Sequence, residues 1–279
     1  MAGEKRLRLD TLLVDLGHFP TRAKAQAAIM AGAVRVNGEP ARKAGELVPP
    51  GARVEVVQAQ RYVSRGGLKL EHALHTFGVR VEGRVCLDVG ASTGGFTDCL
   101  LQMGASRVYA IDVGYGQLDW KLRNDPRVVV VERTNFRYAK PGDFPPAQLI
   151  TVDVSFISLT KILPAARHFL DGGGDLIALV KPQFEAGPQW VGKGGVVRDP
   201  LVHRRVLSDL VQAAWDGGWE SLGITPSPIK GAEGNIEFLL WLARGSGRRL
   251  GEREIEEAVA RAHAQASPTA SEGEDACTP

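Results

Sequence analysis

The stretch Val85-Cys86-Leu87-Asp88-Val89-Gly90-Ala91-Ser92-Thr93-Gly94-Gly95-Phe96 places an apolar run, an acid and a glycine-rich bend in direct succession. Read together, these are the first strand and loop of a nucleotide-binding α/β domain. The small residues supply the reason. Gly90, Gly94 and Gly95 let the backbone turn and approach a ligand, and a helix starting near Gly94 points its amides into the bend. The glycines do not follow G-x-G-x-x-G, so a dinucleotide pyrophosphate is not the natural guest. A second acid, Asp112, closes the next apolar run, Val108 to Ile111, and an acid about 20 residues past such a loop binds ribose hydroxyls. An adenosine-type cofactor follows, with Asp88, Gly90, Ala91, Ser92, Thr93, Gly94, Gly95, Phe96 and Asp112 as its candidate contacts.

Downstream, strands and helices alternate. An amphipathic helix is predicted over Phe96 to Met103, another around Leu118 to Leu122, and a buried strand at Val128 to Val131, after which Asn135 is placed to reach the adenine. Leu149 to Val152 is the next strand, with Asp153 at its carboxyl end; a helix from Leu159 to Leu170 and a strand from Leu176 to Val180, ending in Lys181-Pro182, come after it. A Gly-rich loop, Ala186 to Asp199, is expected to cover the site, and Pro200 starts a helix running to about Gly217. Trp219 to Ile224 and Ile236 to Ala243 supply the last two strands. The result is an α/β fold, a doubly wound seven-stranded sheet, and in such a sheet ligands bind outside the carboxyl ends of the strands, where Asp88, Asp112, Asp153 and Lys181 lie.

The front of the chain has another character. Leu9, Leu12, Leu13 and Leu16 recur with helical period before Gly17, and Thr21 caps a second helix whose apolar side is Ala25, Ala28 and Ile29. The period then changes to two: Val34 and Val36 flank Arg35 before the turn dipeptide Asn37-Gly38, and short strands are predicted at Leu47-Val48 and Arg53 to Val57. Through Lys69 there are 12 Lys/Arg against 6 Asp/Glu, a net of +6, and the remainder is net −4. Such a basic front suits a polyanion, although a solvated basic face would look the same. The runs Arg8-Leu9-Asp10-Thr11-Leu12-Leu13, Thr21-Arg22-Ala23-Lys24-Ala25 and Gly32-Ala33-Val34-Arg35-Val36-Asn37-Gly38 resemble the S4-like RNA-binding domain. That resemblance implies a small α+β module whose Arg6, Arg8, Arg22, Lys24 and Arg35 face structured RNA; Arg65, in the junction, joins them as a candidate contact. Phosphate contacts of this kind give salt-dependent affinity with little sequence reading. The expected division is 1–59 for this module, 60–67 for a linker, 68–246 for the α/β domain and 247–279 for a helix (Glu252 to Ala264) and an acidic tail lacking order.

Four ionisable residues are candidates for the chemistry: Lys69, Asp153, Lys181 and Glu237. Their order and placement resemble the tetrad of FtsJ-like RNA ribose 2′-O-methyltransferases. With the front module and the runs Val63-Ser64-Arg65-Gly66-Gly67-Leu68-Lys69-Leu70, Asp88 to Phe96, Asp153-Val154-Ser155-Phe156-Ile157-Ser158-Leu159 and Lys181-Pro182-Gln183-Phe184-Glu185, the chain resembles the TlyA family, rRNA cytidine-2′-O-methyltransferases also labelled hemolysin A-like. The resemblance implies S-adenosylmethionine as methyl donor, its methionine end near Gly90 to Phe96 and its ribose on Asp112, with Asp153 as a further cofactor contact. Lys181 then takes the ribose hydroxyl proton or stabilises the forming alkoxide, and Asp153 and Glu237 orient. It implies ribosomal RNA in ribosomal subunits as partner, 23S foremost and 16S as a further target; the short front end before Leu9 favours the large subunit.

Rival chemistries lack their marks. An amino-directed base methylase would carry Asp-Pro-Pro-Tyr after the fourth strand, where Asp153-Val154-Ser155-Phe156 stands. A pyrimidine C5 methylase needs a cysteine nucleophile, but Cys86 falls in a strand, Cys99 in a helix and Cys277 in the tail. The three cysteines form neither a disulfide framework nor a metal spacing, and no signal peptide or membrane-length apolar run is visible, so a cytoplasmic protein with no metal, no membrane association and no stable protein partner is expected. The same absences weigh against a pore-forming hemolysin. His72 and His203 read as surface or packing histidines on helices, not ligands. A non-catalytic ribosome-assembly factor that kept the fold is the alternative; it binds cofactor without turnover.

Overall fold

The computed structural model describes residues 6–30, 32–56, 61–245 and 247–266. The boundary expected at 59–60, Cys277 and the tail beyond 266 lie outside the described residues. Contacts divide the chain into two compact units, Met1–Arg61 and Tyr62–Pro279.

In the first unit β1 (Leu7–Arg8), α1 (Leu9–Asp15), α2 (Arg22–Met30), β2 (Val34–Val36), β3 (Glu39–Pro40), β4 (Leu47–Val48) and β5 (Val54–Val56) follow one another. Strands β3, β2 and β5 form an antiparallel sheet and β1 pairs with β4. Leu9, Leu13, Ala25, Ile29, Val34 and Val48 close a small core. The predicted leucine face holds except at its end: Leu16 is the C-cap of α1, beyond the last buried turn, and is 54% exposed.

Asp10 is the surprise of this unit. It is fully buried and accepts from Arg8 Nε (3.0 Å) and Nη2 (2.9 Å), Arg22 Nη2 (3.0 Å) and Gln26 Nε2 (2.7 Å). The Arg8 hydrogen bonds, with Gln26 and Arg22, hold its carboxyl far below the usual carboxylate range against the opposing cost of burial. A carboxyl depressed in the folded state stabilises the fold above its ordinary value, about 3.9, and loses that stabilisation as pH falls towards the folded value. Amide-exchange protection at Leu13 and Ile29 is therefore expected to decline from about pH 5 to about pH 2, and less steeply in Asp10→Asn. Equal slopes in the two proteins would contradict this role.

The second unit opens with α3 (Gly66–Phe77), β6 (Val85–Val89), α4 (Gly95–Gln102), β7 (Arg107–Ile111), α5 (Trp120–Arg123) and β8 (Val128–Val131). It continues through β9 (Ala147–Val152), α6 (Leu163–Phe169), β10 (Leu170–Val180), α7 (Pro182–Glu185), α8 (Pro200–Asp216), β11 (Glu220–Pro226), β12 (Phe238–Ala243) and α9 (Glu252–Ala266). The sheet is seven-stranded, in the order β11-β12-β10-β9-β6-β7-β8. Only β12 runs against its neighbours; β10, β9, β6, β7 and β8 are mutually parallel. Because side chains alternate along a strand, Cys86 joins one core with Leu70, Leu100, Leu149 and Ile177, while Leu87 joins the other with Ile150, Leu176, Leu210 and Phe238. Both faces are thus covered, which is why the strands read as unbroken apolar runs.

Three elements differ from the sequence reading. The helix expected over Leu159 to Leu170 is a 3-10 turn, Leu159–Lys161, and then α6, since Pro164 fits only the first turn of a helix. Strand β10 begins at Leu170, with an irregularity before Asp175. Strand β12 begins at Phe238, which leaves Glu237 just outside it. No helix among the described residues is long and apolar enough to cross a membrane.

Candidate active site

Strand β6 ends where Gly90 turns with φ +86°, and a Cβ there would collide with the Asp153 carbonyl oxygen at the end of β9. Only glycine allows both the turn and that approach. Two cavities meet at this point, and Gly90, Ser92 and Asp153 line both. The smaller, about 240 Å³, is also walled by Ser64, Arg65, Lys69, Ala91, Thr93, Gly95, Phe96 and Lys230. The larger, about 550 Å³, is walled by Asp112, Gln117, Asn135, Phe136, Val154 and Ile157 among others, a size and an apolar lining that suit a small-molecule cofactor.

Asp112, just after β7, lines the larger cavity. One carboxylate oxygen accepts from Ser92 N at 2.8 Å and the other from Gly114 N at 2.7 Å, so both oxygens are fixed in place and each keeps a lone pair free. Asn135 lines the same cavity while its side-chain oxygen accepts from Arg137 N at 3.2 Å. Asp112→Ala is expected to weaken S-adenosylmethionine binding by about 10- to 100-fold, as losing charge-assisted bonds to two hydroxyls implies, with unfolding unchanged; cofactor titration by calorimetry checks it, and undiminished affinity would remove Asp112 from the ribose site.

Two of the expected cofactor contacts lie elsewhere. Asp88 is fully buried and lines neither cavity; it accepts from Thr97 Oγ1 at 2.6 Å and Thr151 Oγ1 at 2.9 Å. Burial pushes its carboxyl up to about 7, with the two hydroxyls opposing. It braces α4 and β9 against β6 from behind the loop. Gly94, at φ +98°, packs on Leu118 and Leu122 instead of facing a cavity. The loop 186–199 contributes to neither lining; Asn235 pins it, accepting from Val197 N at 3.1 Å and donating to Gly195 O at 3.0 Å.

The four candidates for chemistry form two ion pairs. Lys69 on α3 is paired with Glu237 just before β12, and both are nearly excluded from water. Lys181, after β10, lies 2.7 Å from Asp153 Oδ1 and donates to Ser155 Oγ at 2.9 Å. Lys69 and Asp153 face the smaller cavity; Lys181 and Glu237 stand behind them. Burial raises the Glu237 carboxyl above its ordinary value, opposed first by Lys69, and the charges of Lys181 and Asp153 act on it too. The strand ends thus bring both pairs into one electrostatic unit. Among the described residues no cluster suits a metal ion.

The candidate RNA contacts are less uniform than their sequence suggests. Arg6, Lys24 and Arg35 are exposed, whereas Arg8 and Arg22 are tied to Asp10 with about half of each side chain exposed, at 48% and 54%. Arg65 donates to the Lys230 carbonyl oxygen at 3.0 Å. His72 contacts Thr225 Oγ1 at 3.1 Å, and the buried His203 meets His263 at 2.9 Å; burial lowers both His72 and His203, the latter to about 4. Of the surface and packing alternatives, His203 takes packing and His72 is half-buried. Sequence reading missed Lys230 and Asn235, whose only signal is the run Lys230 to Glu237 leading into the last strand.

A model of the FtsJ-like methyltransferase family matches residues 62–244, and a model of the S4 domain matches residues 7–54. The chain is similar to "Putative rRNA methyltransferase YqxC" of Bacillus subtilis, with 53% identity across 93% of this chain and 95% of that protein. It is 46% identical to "16S/23S rRNA (cytidine-2'-O)-methyltransferase TlyA" of Mycobacterium tuberculosis, across 92% of this chain and 97% of that one. A solved structure, "Putative hemolysin from Streptococcus thermophilus", matches with a TM-score of 0.73 at 47% identity and covers 94% of this chain and 98% of its own.

Proposed function

The chain belongs to the TlyA family of FtsJ-like methyltransferases, and on that premise we propose that it transfers a methyl group from S-adenosylmethionine to the ribose 2′-oxygen of a cytidine in ribosomal RNA. The observation that carries the reading is the junction of the two cavities at Asp153, with a diol-binding carboxylate on one side and two lysine–carboxylate pairs on the other. The residues present fit the cofactor: Asp112 for its ribose, the apolar wall of Phe136 and Ile157 for its base, and Gly90 to Ser92 for the backbone approach to its amino-acid end. When bound, it supplies an electrophilic methyl group on a sulfonium.

The protein's part is to hold a ribose hydroxyl in line and to manage its charge. Positioning alone accounts for much of the acceleration in such reactions. Lys181, held by Asp153 and Ser155, puts a positive charge directly behind the carboxylate that lines both cavities, which supports an electrostatic role towards an alkoxide formed there. Lys69, held by Glu237 behind it, lines the smaller cavity. The S4-like unit supplies RNA affinity through exposed Arg6, Lys24 and Arg35 and the partly exposed Arg8 and Arg22. The division of labour is an RNA-gripping module of residues 7–54 and a transferring domain of residues 62–244, acting on ribosomal subunits in the cytoplasm. The large subunit's 23S RNA is the first target, with 16S RNA as a second.

Incubation of the full chain with labelled S-adenosylmethionine and unmodified large and small subunits tests this. Label on either RNA supports the reading; none on both, with cofactor bound, leaves a ribosome-assembly factor.

A further inference from the structure

Two cations at the smaller cavity are unused by the chemistry above. Arg65 and Lys230 both line it, and the bond from Arg65 Nη2 to the Lys230 carbonyl at 3.0 Å ties the two residues together. Among the described residues neither is paired with a carboxylate; Lys230 Nζ donates to the Ala266 carbonyl at 3.3 Å beside a neighbouring pocket, an exposed bond it exchanges to swing its ammonium towards the smaller cavity. The inner residues differ. Lys69 is matched by Glu237 and Lys181 by Asp153, so they add no net charge, whereas Arg65 and Lys230 add two positive charges. The two layers touch. A Cβ on Gly231, the residue after Lys230, would collide with the Glu237 carboxylate, so the loop carrying Lys230 lies directly on the Lys69–Glu237 pair.

We propose that Arg65 and Lys230 clamp the 3′-phosphodiester of the acceptor nucleotide, an inference that rests on reading the site as a ribose 2′-O-methyltransferase. The 2′- and 3′-oxygens occupy adjacent ribose carbons, so an internal nucleotide that offers its 2′-hydroxyl brings a phosphodiester charge with it. A guanidinium fork binds phosphate oxygens in pairs and an ammonium adds a point charge beside it. The mutual repulsion of Arg65 and Lys230 is relieved by the same anion. A terminal nucleotide with a free 3′-hydroxyl lacks the handle and is a poor acceptor.

The test uses Lys230→Ala, Lys230→Glu and Lys230→Arg in the full chain, with unmodified large subunits as acceptor over a range of salt. In Lys230→Glu the KM for subunits should rise about tenfold or more, with kcat and cofactor affinity within about twofold of the parent, while Lys230→Arg restores the parent KM. In Lys230→Ala the salt slope of log KM should shrink by about 0.7 to 0.9, the loss of one phosphate contact. An unchanged KM and slope in both the Ala and Glu variants would overturn the clamp, as would a fall in kcat and cofactor affinity at constant KM, which marks a structural role through Gly231. A parent enzyme that places no methyl on a ribose defeats the underlying reading; a parent that does, with a KM indifferent to Lys230, defeats the clamp alone.

Discussion

Lys181→Ala is expected to lower kcat for methyl transfer by about 10³-fold, the range lost with a positioned acid–base or charge-stabilising group, while cofactor affinity stays within about twofold. Lys181 touches Asp153 at 2.7 Å and Ser155 at 2.9 Å, whereas Asp112, proposed here to hold the cofactor ribose, is fixed by the Ser92 and Gly114 amides and makes no bond to Lys181. The fold should survive, since the Asp153 side chain is 23% exposed and truncating Lys181 opens room for water at the otherwise buried Oδ1. Single-turnover transfer to subunits and calorimetric cofactor titration separate the two effects. Lys181→Arg then decides the role: arginine keeps the charge but does not shed its proton. A rate within about tenfold of the parent assigns electrostatic stabilisation, and a loss equal to that of the alanine variant assigns proton acceptance. Normal turnover in Lys181→Ala would remove Lys181 from the mechanism.

Glu237→Ala is expected to destabilise the second unit by about 3–5 kcal/mol as well as abolish activity, because it leaves a buried ammonium without its counter-ion. Lys69 is 8% exposed and Glu237 3%, so water replaces the carboxylate poorly even though Lys69 lines the smaller cavity. Replacing both by apolar residues of similar length, Lys69→Met with Glu237→Leu, removes the stranded charge and should recover most of the stability without activity. Chemical denaturation followed by tryptophan fluorescence measures the first effect, and methyl transfer the second. A single variant as stable as the parent would show that the pair is not buried as described; an active double variant would show that the pair is not needed for transfer.

The fold was legible where local pattern and burial agree. The apolar runs of β6, β7 and β9 mark strands covered on both faces, whereas the run of β8 proved to be the half-buried edge of the sheet; Gly90 and Asp112 sit at strand ends that face a binding crevice. What stayed hidden depends on contacts between distant segments. Asp88 looked like a cofactor contact because it follows an apolar run, yet an acid inside a strand points to one face, and here that face carries Thr97 and Thr151. Arg8 and Arg22 looked equally free for RNA until Asp10 joined them. Lys230 carries no motif; its place at the cavity follows from the loop between β11 and β12 folding over Glu237. Lys69 and Glu237 were named from a resemblance of order along the chain, and their pairing across 168 positions is a property of the folded sheet.

The most direct measurement is digestion to nucleosides of ribosomal RNA that has received label from the full chain and S-adenosylmethionine. The account predicts label in 2′-O-methylcytidine, with the bond on its 3′ side resistant to alkali because the neighbouring hydroxyl is blocked. Label on a base atom, with that bond still cleaved by alkali, would contradict it.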